Sequence, residues 1–552
     1  MKIKTLNLLI LSLLLLLILS CNSQKSINKN QVVIGISADV QSLNTLFAFS
    51  YEENLITDLL YPGLLDFKWN NEKGELDVYP LIANSWTWSE DSSTLKIIVR
   101  NDIYWSDGTK LTTKDIVYSY DLFSDPDVQS RLIGTFDYLY TGEDGQVDIE
   151  KTFTVISPTE LVINFPENTA VSLIDISIPI IPKSIFSSIS RDQLSSSDLN
   201  FNPVSCGAFK LKKWDKNQSI ILESDSSSFL FTADQISELV FKIVPDYTSR
   251  ILQIKKGDLD LIELVKVEDK EDLEKEGNLN LINNAGREYD YIGWNNIDPE
   301  IFNRGKVNPN KLFGDRRVRK ALTMAINRKE ILEEYLFNQG ELASSPVSSI
   351  FKQSFNQDVQ PYDYNPTESK KLLAEAGWND NNSDGILEKG NSEFRFTMYY
   401  PVGNPLREFA AVLVKNNLKA IGIEVSIEKM ELGAFIDNLY ERKMDAWMAG
   451  WGIPIPLELK PYWYSDSDIG VLNFACYSNS EVDSILNMLD EKINQYKKNE
   501  LVKKFQIIIH QDEPVTFLYW TPNIIAYNKR IKNLKITPYG VLTHCWEWTL
   551  NE

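Results

Sequence analysis

Histidine is nearly missing from this chain, with only His510 and His544 among 552 residues. There is no HExxH and no CxxC, so the usual zinc ligand sets are excluded and no metal cofactor is expected. Cysteine is scarce as well. Its four occurrences are Cys21, Cys206, Cys476 and Cys545, too few for a disulfide scaffold. Basic runs are absent, and 77 acidic residues against 56 basic ones leave a formal charge of −21. Such a surface repels phosphate backbones, which excludes nucleic acid as a partner. Catalytic signatures are missing too: no GxSxG elbow, no GxxxxGK[ST] loop and no GxGxxG. With so many carboxylates, chance acidic pairs carry no catalytic meaning, so no catalytic residue and no organic cofactor is assigned.

What is present is a long chain rich in aromatic residues, with 13 Trp, 24 Tyr and 25 Phe. Its length exceeds one ordinary core, so two or three lobes are expected. Lys2 and Lys4 precede an apolar run, Leu8–Leu19, broken only by Ser12. The run is shorter than the roughly 20 residues that span a bilayer and reads as a signal-peptide core within residues 1–20. It ends at "ILSC" and leads into the polar stretch "NSQKSINKN". This resembles a bacterial lipobox, in which Cys21 is acylated and residues 21–30 form a tether. The plainer reading is an ordinary signal peptide with an incidental cysteine. Beyond Cys21 three cysteines remain, an odd number, and any one pair of them could bridge.

"QVVIGIS" (31–37) and Leu95–Val99 read as strands, and Asp107-Gly108 as a tight turn. Thr112 with Asp115 three residues on forms a capping box that opens a helix through Ser119 and Tyr120. In the second half, Gly314–Gly340 places Val318, Leu322, Ala325 and Ile331 near one helical face. Asn365–Trp378 has Pro366 at a helix start and Gly377 just past its end. "FRFTMYYP" followed by Pro405–Met430 makes a β-α-β crossover. Strand 515–520 nearly closes the chain. The fold class is α/β.

Two segments invite a functional reading. "NDNNSDGILEKG" (379–390) sets Asp380, Asn382 and Asp384 at alternate positions, like the first half of a calcium loop. Position twelve is Asn391 rather than Glu, and an Asx-rich turn explains the same residues. "DAWMAGWGIPIPLE" (445–458) carries no charge between Ala446 and Leu457, and its two Gly and two Pro suit neither a helix interior nor a central strand. It either packs one subdomain on another or faces a ligand.

"LIANSWTWSEDSSTLKIIVRNDIYWSDGTKLTTKDIVYSY" (81–120) strongly resembles the family 5 extracellular solute-binding proteins, the peptide- and nickel-binding components of ABC importers. "SCGAFKLKKW", "IKKGDLDLIE", "FGDRRVRKALTMAINR", "YNPTESKKLLAEAGW" and "LKAIGIEVSIEKME" follow in the family's order. The resemblance covers nearly the whole mature chain. It implies a two-lobe, Venus-flytrap fold: lobe 1 from 31–60, 179–286 and 508–552, a small inserted domain over 61–178, and lobe 2 over 287–507. It further implies a monomeric receptor at the extracytoplasmic side of the cell envelope, lipid-anchored, that encloses a peptide and presents it to permease subunits.

The same resemblance supplies the site. "DAWMAGW" matches the element that reaches into the cleft, with Trp451 as a wall residue and Ile453 and Pro454 beside it. Peptide-binding members carry an Asp about three residues after this Trp, which pairs with the peptide amine; here that place is Pro454. Asp39 could take the role instead, on weaker grounds Glu458 or Asp466. Tyr291 and Trp294 lie at the entry into lobe 2, Cys206 and Gly207 at the return into lobe 1. For Trp294 and Cys206 a plain core role competes. A non-peptide solute such as an oligosaccharide would fit the same mechanism, aromatic platforms stacking on sugar rings. A surface hydrolase and a non-transport sensor are the readings from other classes.

Overall fold

The computed structural model describes residues 30–298 and 308–551. The signal segment, Cys21 and the tether up to residue 29 lie outside the described residues, among which no helix is long and apolar enough to cross a membrane.

The alternating burial of Gln31–Ile36, with Val32, Ile34 and Ile36 inward, seeds the first sheet. This strand pairs in parallel with Glu238–Ile243 on one side and Leu261–Ile262 on the other. Antiparallel neighbours complete a seven-stranded sheet ordered Leu279–Asn284, Asn523–Asn528, Leu261–Ile262, Gln31–Ile36, Glu238–Ile243, Ser219–Ser224, Phe209–Asp215. An inserted four-stranded sheet, with strand Thr94–Val99 between Ala83–Trp88 and Glu160–Asn164, shares one continuous apolar core with it, from Val32 through Ile97 to Ile163. Helix Thr113–Ser124 starts where expected: one Asp115 oxygen accepts from Thr112 N (2.7 Å) and Oγ1 (3.1 Å), the other from Lys183 N.

The second lobe is a six-stranded sheet ordered Glu341–Leu342, Val515–Trp520, Glu288–Trp294, Ala446–Gly452, Arg395–Pro401, Glu424–Met430. Its last two strands are parallel and joined by helix Pro405–Lys419, the expected crossover, with Gly422 turning the chain at φ 90°.

Two expectations need correction. The boundary at residue 508 is too early, because strand Val515–Trp520 pairs along Glu288–Trp294 in the second sheet. The chain returns to the first sheet only at Thr521–Pro522, before strand Asn523–Asn528. All six side chains of Val515–Trp520 are buried, so its apolar run carries no periodicity that would reveal which sheet it joins. The single helical stretch Gly314–Gly340 is two helices, Arg316–Ala325 and Arg328–Glu334. Ile326 is extended between them, and the Asn417 side chain accepts from Asn327 N in its place.

Glu513 ends helix Gln495–Asp512 in the left-handed region at φ 45° and is 2% exposed. Burial pushes its carboxyl up to about 7, against the opposing pull of Arg328 and Arg319. The folded state therefore holds a proton that the unfolded chain has released between the ordinary glutamate value of 4.5 and about 7. Stability from this group is full below the lower value and is lost as pH rises through the window. Glu513→Gln should remove that slope, so denaturant melts at pH 5 and pH 8 are expected to show the variant gaining about 2 kcal/mol on the wild type at the higher pH.

Candidate functional site

The carboxyl ends of parallel strands are where open α/β sheets hold ligands. In the first sheet those ends are Ser37, Val244 and Glu263; in the second they are the residues after Pro401, Met430 and Gly452. The uncharged segment at 446–457 begins as the strand Ala446–Gly452, buried through Ala449, and emerges at Trp451. Gly450 lies against the buried pair Asp290–Arg407, where a β-carbon would fall 2.4 Å from Arg407 Nη2 and 2.5 Å from Asp290 Oδ1. That close approach, rather than a turn, requires the glycine.

Trp451 is half-buried and held within an aromatic wall. Tyr291 lies parallel to it at 6.5 Å, Phe474 stacks at 5.6 Å and Tyr462 meets it edge-on at 5.1 Å. The crevice behind them, lined also by Tyr289 and Asn473, has about 20 Å³ of free volume, room for a water at most. Ile453 is buried and tied to the crossing between lobes, donating N–H to Arg287 O and accepting from Arg287 Nη1 at 2.8 Å. Pro454 follows it, half-buried and without a charge.

Other expected site residues are placed differently. Trp294 is a core residue: fully buried, its Nε1 donates to Thr516 Oγ1, and Phe313 and Phe396 pack on its ring. Tyr291 is also buried, and its hydroxyl accepts from Trp447 Nε1, so its part is to support Trp451. Cys206 is 2% exposed, and burial raises its thiol pKa well above the ordinary value. Gly207 is needed for packing, since a β-carbon would fall 1.9 Å from Leu59 O. Cys206, Cys476 and Cys545 are all free and buried, so no pair of them is bridged. Asp39 is engaged within its own lobe: Trp214 Nε1 and Val40 N donate to one oxygen, Asn217 N to the other. In the calcium-like turn, Asp380 and Asp384 converge with Glu388 rather than Asn391, their oxygens within 4.8 Å. Asn382 is spent inside the turn, accepting from Asp384 N and donating to its carboxylate.

A group the sequence reading did not single out stands at the carboxyl ends of the first sheet. Tyr51, at the start of helix Tyr51–Leu60, donates its hydroxyl to both oxygens of Glu263 at 3.1 and 3.0 Å. Glu52 beside it accepts from Ser37 Oγ at 2.6 Å. Burial pushes the half-buried Glu263 carboxyl up to about 7, the Tyr51 hydroxyl opposing and Glu52 adding to the rise. The only available signal was position, directly after the buried pair Leu261-Ile262.

Residues 77–470 match the family described as bacterial extracellular solute-binding proteins, family 5 Middle. The chain belongs to this family. As a solute-binding protein it is 29% identical to the oligopeptide-binding protein AppA of Bacillus subtilis over all of both chains. It is 24% identical to the dipeptide-binding protein of Escherichia coli, over 87% of each. Among solved structures it is similar to AppA of B. subtilis in complex with a nonapeptide, with a TM-score of 0.73, 26% identity and coverage of 95% of this chain and 99% of that one. NikZ of Campylobacter jejuni, solved with Ni(L-His), has the same fold, with a TM-score of 0.74 at 22% identity over 95% of this chain and 100% of that one. The two-lobe fold of this solute-binding protein is therefore that of the family, and these relatives are named as binding proteins rather than enzymes.

Proposed function

We propose that the protein captures peptides between its lobes and hands them to the permease of an ABC importer. The observation that carries this reading is the end-to-end likeness to AppA, whose structure holds a nonapeptide. A peptide lying on the exposed part of Trp451 and touching both lobes would favour the closed form by the contacts made only there. The chain segments at 285–287 and 521–522, which join the two sheets, form the hinge in this reading. Cys21 is the acylated N-terminus of a monomeric receptor held at the outer face of a membrane, a role supported by the apolar run and small residues before it. Labelling cells with a fatty-acid analogue should mark the wild type and not Cys21→Ser.

The test of the ligand is native mass spectrometry of the mature domain, purified gently from its own host, followed by identification of what it releases on denaturation. A ladder of short peptides supports the reading. A saccharide, or failure of peptides to rebind the stripped protein, overturns it in favour of an oligosaccharide receptor, the alternative that Pro454 keeps open. Trp451→Ala should weaken binding of the released ligand about thirtyfold, roughly 2 kcal/mol, by isothermal titration. Its melting temperature should change little, because the ring is half-exposed.

A further inference from the structure

The loop after Trp451, Gly452 to Leu457, contains no carboxylate, and the acids around the cleft are mostly committed to the protein itself. Asp39 is held by Trp214, Asn217 and its own loop. Asp260 is engaged by Arg530 and Val33 N, and Asp290 by Arg407. Glu53 accepts the N–H groups of Gln41, Phe49 and Ser50. Glu263 is less engaged: among the described residues both its oxygens share a single donor, the neutral Tyr51 hydroxyl, and no ion pair is formed. Lys266, the nearest cation in sequence, instead sits 4.6 Å over the Tyr247 ring and 4.0 Å from Glu268.

We propose that Glu263, oriented by Tyr51 at the carboxyl end of strand Leu261–Ile262, receives the ammonium group of the bound peptide. The inference rests on the peptide reading and specifies which side chain takes the amine.

Three observations support it. The pair stands where the lobes meet: Arg287, whose charge reaches the Tyr51 hydroxyl, also holds Ile453 of the loop beyond Trp451. At the Tyr51 hydroxyl Glu263 and Glu52 both contribute negative charge, opposed by Arg287, which is already donating to a carbonyl. The neighbouring rings and chains are left in solvent, with Phe49 68%, Tyr51 58% and Leu264 67% exposed, an apolar surround for the first residue of a peptide. A desolvated carboxylate lacking a counter-charge takes up a proton near neutrality; an arriving ammonium supplies that charge and displaces the proton.

The binding of amines then has a signed pH dependence. Glu263 must be ionised, which fails below about 7. The peptide amine must be protonated, which fails above about 8. Capture of free-amine peptides should therefore be strongest between these values and fall toward tenfold per pH unit on the acid side. Capture of N-acetylated peptides should not follow this profile.

The experiment offers the stripped protein an equimolar synthetic pool of peptides three to nine residues long, in free-amine and N-acetylated forms, and quantifies the captured species by mass spectrometry. Wild type should prefer the free amine at least tenfold, and Glu263→Gln should bind both forms alike. Glu458→Gln should keep the preference. Retention of the preference by Glu263→Gln, or its loss in Glu458→Gln instead, overturns the inference and leaves the peptide reading intact. Capture of neither pool by the wild type overturns both. If Glu263→Gln does not fold, the wild-type pH profile decides: a flat ratio of the two forms from pH 5 to pH 8 refutes the assignment.

Discussion

Arg407→Ala is expected to lower the stability of the second lobe by about 3–5 kcal/mol. Asp290 lies in the middle of strand Glu288–Trp294 and is 5% exposed. Its two oxygens are matched to the Arg407 fork at 2.7 and 3.1 Å, and the Tyr519 hydroxyl donates to one of them. Removing the guanidinium leaves a buried carboxylate with one neutral donor, and the cost comes from that orphaned charge more than from the lost attraction. The double variant Arg407→Met with Asp290→Asn should recover most of the loss, since it removes both charges together. Urea unfolding of the two single variants and the double variant, analysed as a cycle, measures the coupling directly. Equal destabilisation by the single and double variants would show that the charge itself is not responsible.

Gly286→Ala should cost about 3 kcal/mol or more. A β-carbon there would lie 1.7 Å from Thr521 O, a contact that only a shift of backbone can relieve. Gly286 belongs to the first segment that joins the sheets and Thr521 to the second, so the substitution pries apart the two segments on which both lobes depend. Thermal melts and small-angle scattering separate the two consequences, loss of stability and a changed distance between lobes. A variant that melts and scatters like the wild type would mean that the two segments are not packed as described.

The family and the α/β class were legible because they rest on local chemistry: a capping box at Thr112 and Asp115, a glycine turn at Gly422, alternation in Leu95–Val99. What stayed hidden depends on contacts far apart in the chain. Nothing in "VTFLYW" says that it lines up with Glu288–Trp294, because a strand buried on both faces loses its period of two. Trp294 and Trp451 are the same residue type near opposite ends of paired strands, yet one is sealed by Phe313 and Phe396 and the other emerges at the carboxyl end of its strand. Asp39 looked like a free acid until its partners, Trp214 and Asn217, came from a distant hairpin. Glu263 was overlooked for a related reason, as one acid among 77 whose partner, Tyr51, lies far away in the chain.

The joining segments have a mechanical consequence. Asn284 pairs with Asn523 on one side of the junction and Tyr289 with Trp520 on the other, while Thr521 N donates to Glu288 O between them. The two connections thus form a short antiparallel ribbon rather than two independent tethers. A ribbon bends across its face far more easily than it shears or twists, so it acts as a door hinge and not as a ball joint. The lobes would share essentially one rotational coordinate, and each swing would return the same surfaces to register. Little orientational search would then precede closure, leaving the rate of capture to be set by how often a ligand arrives.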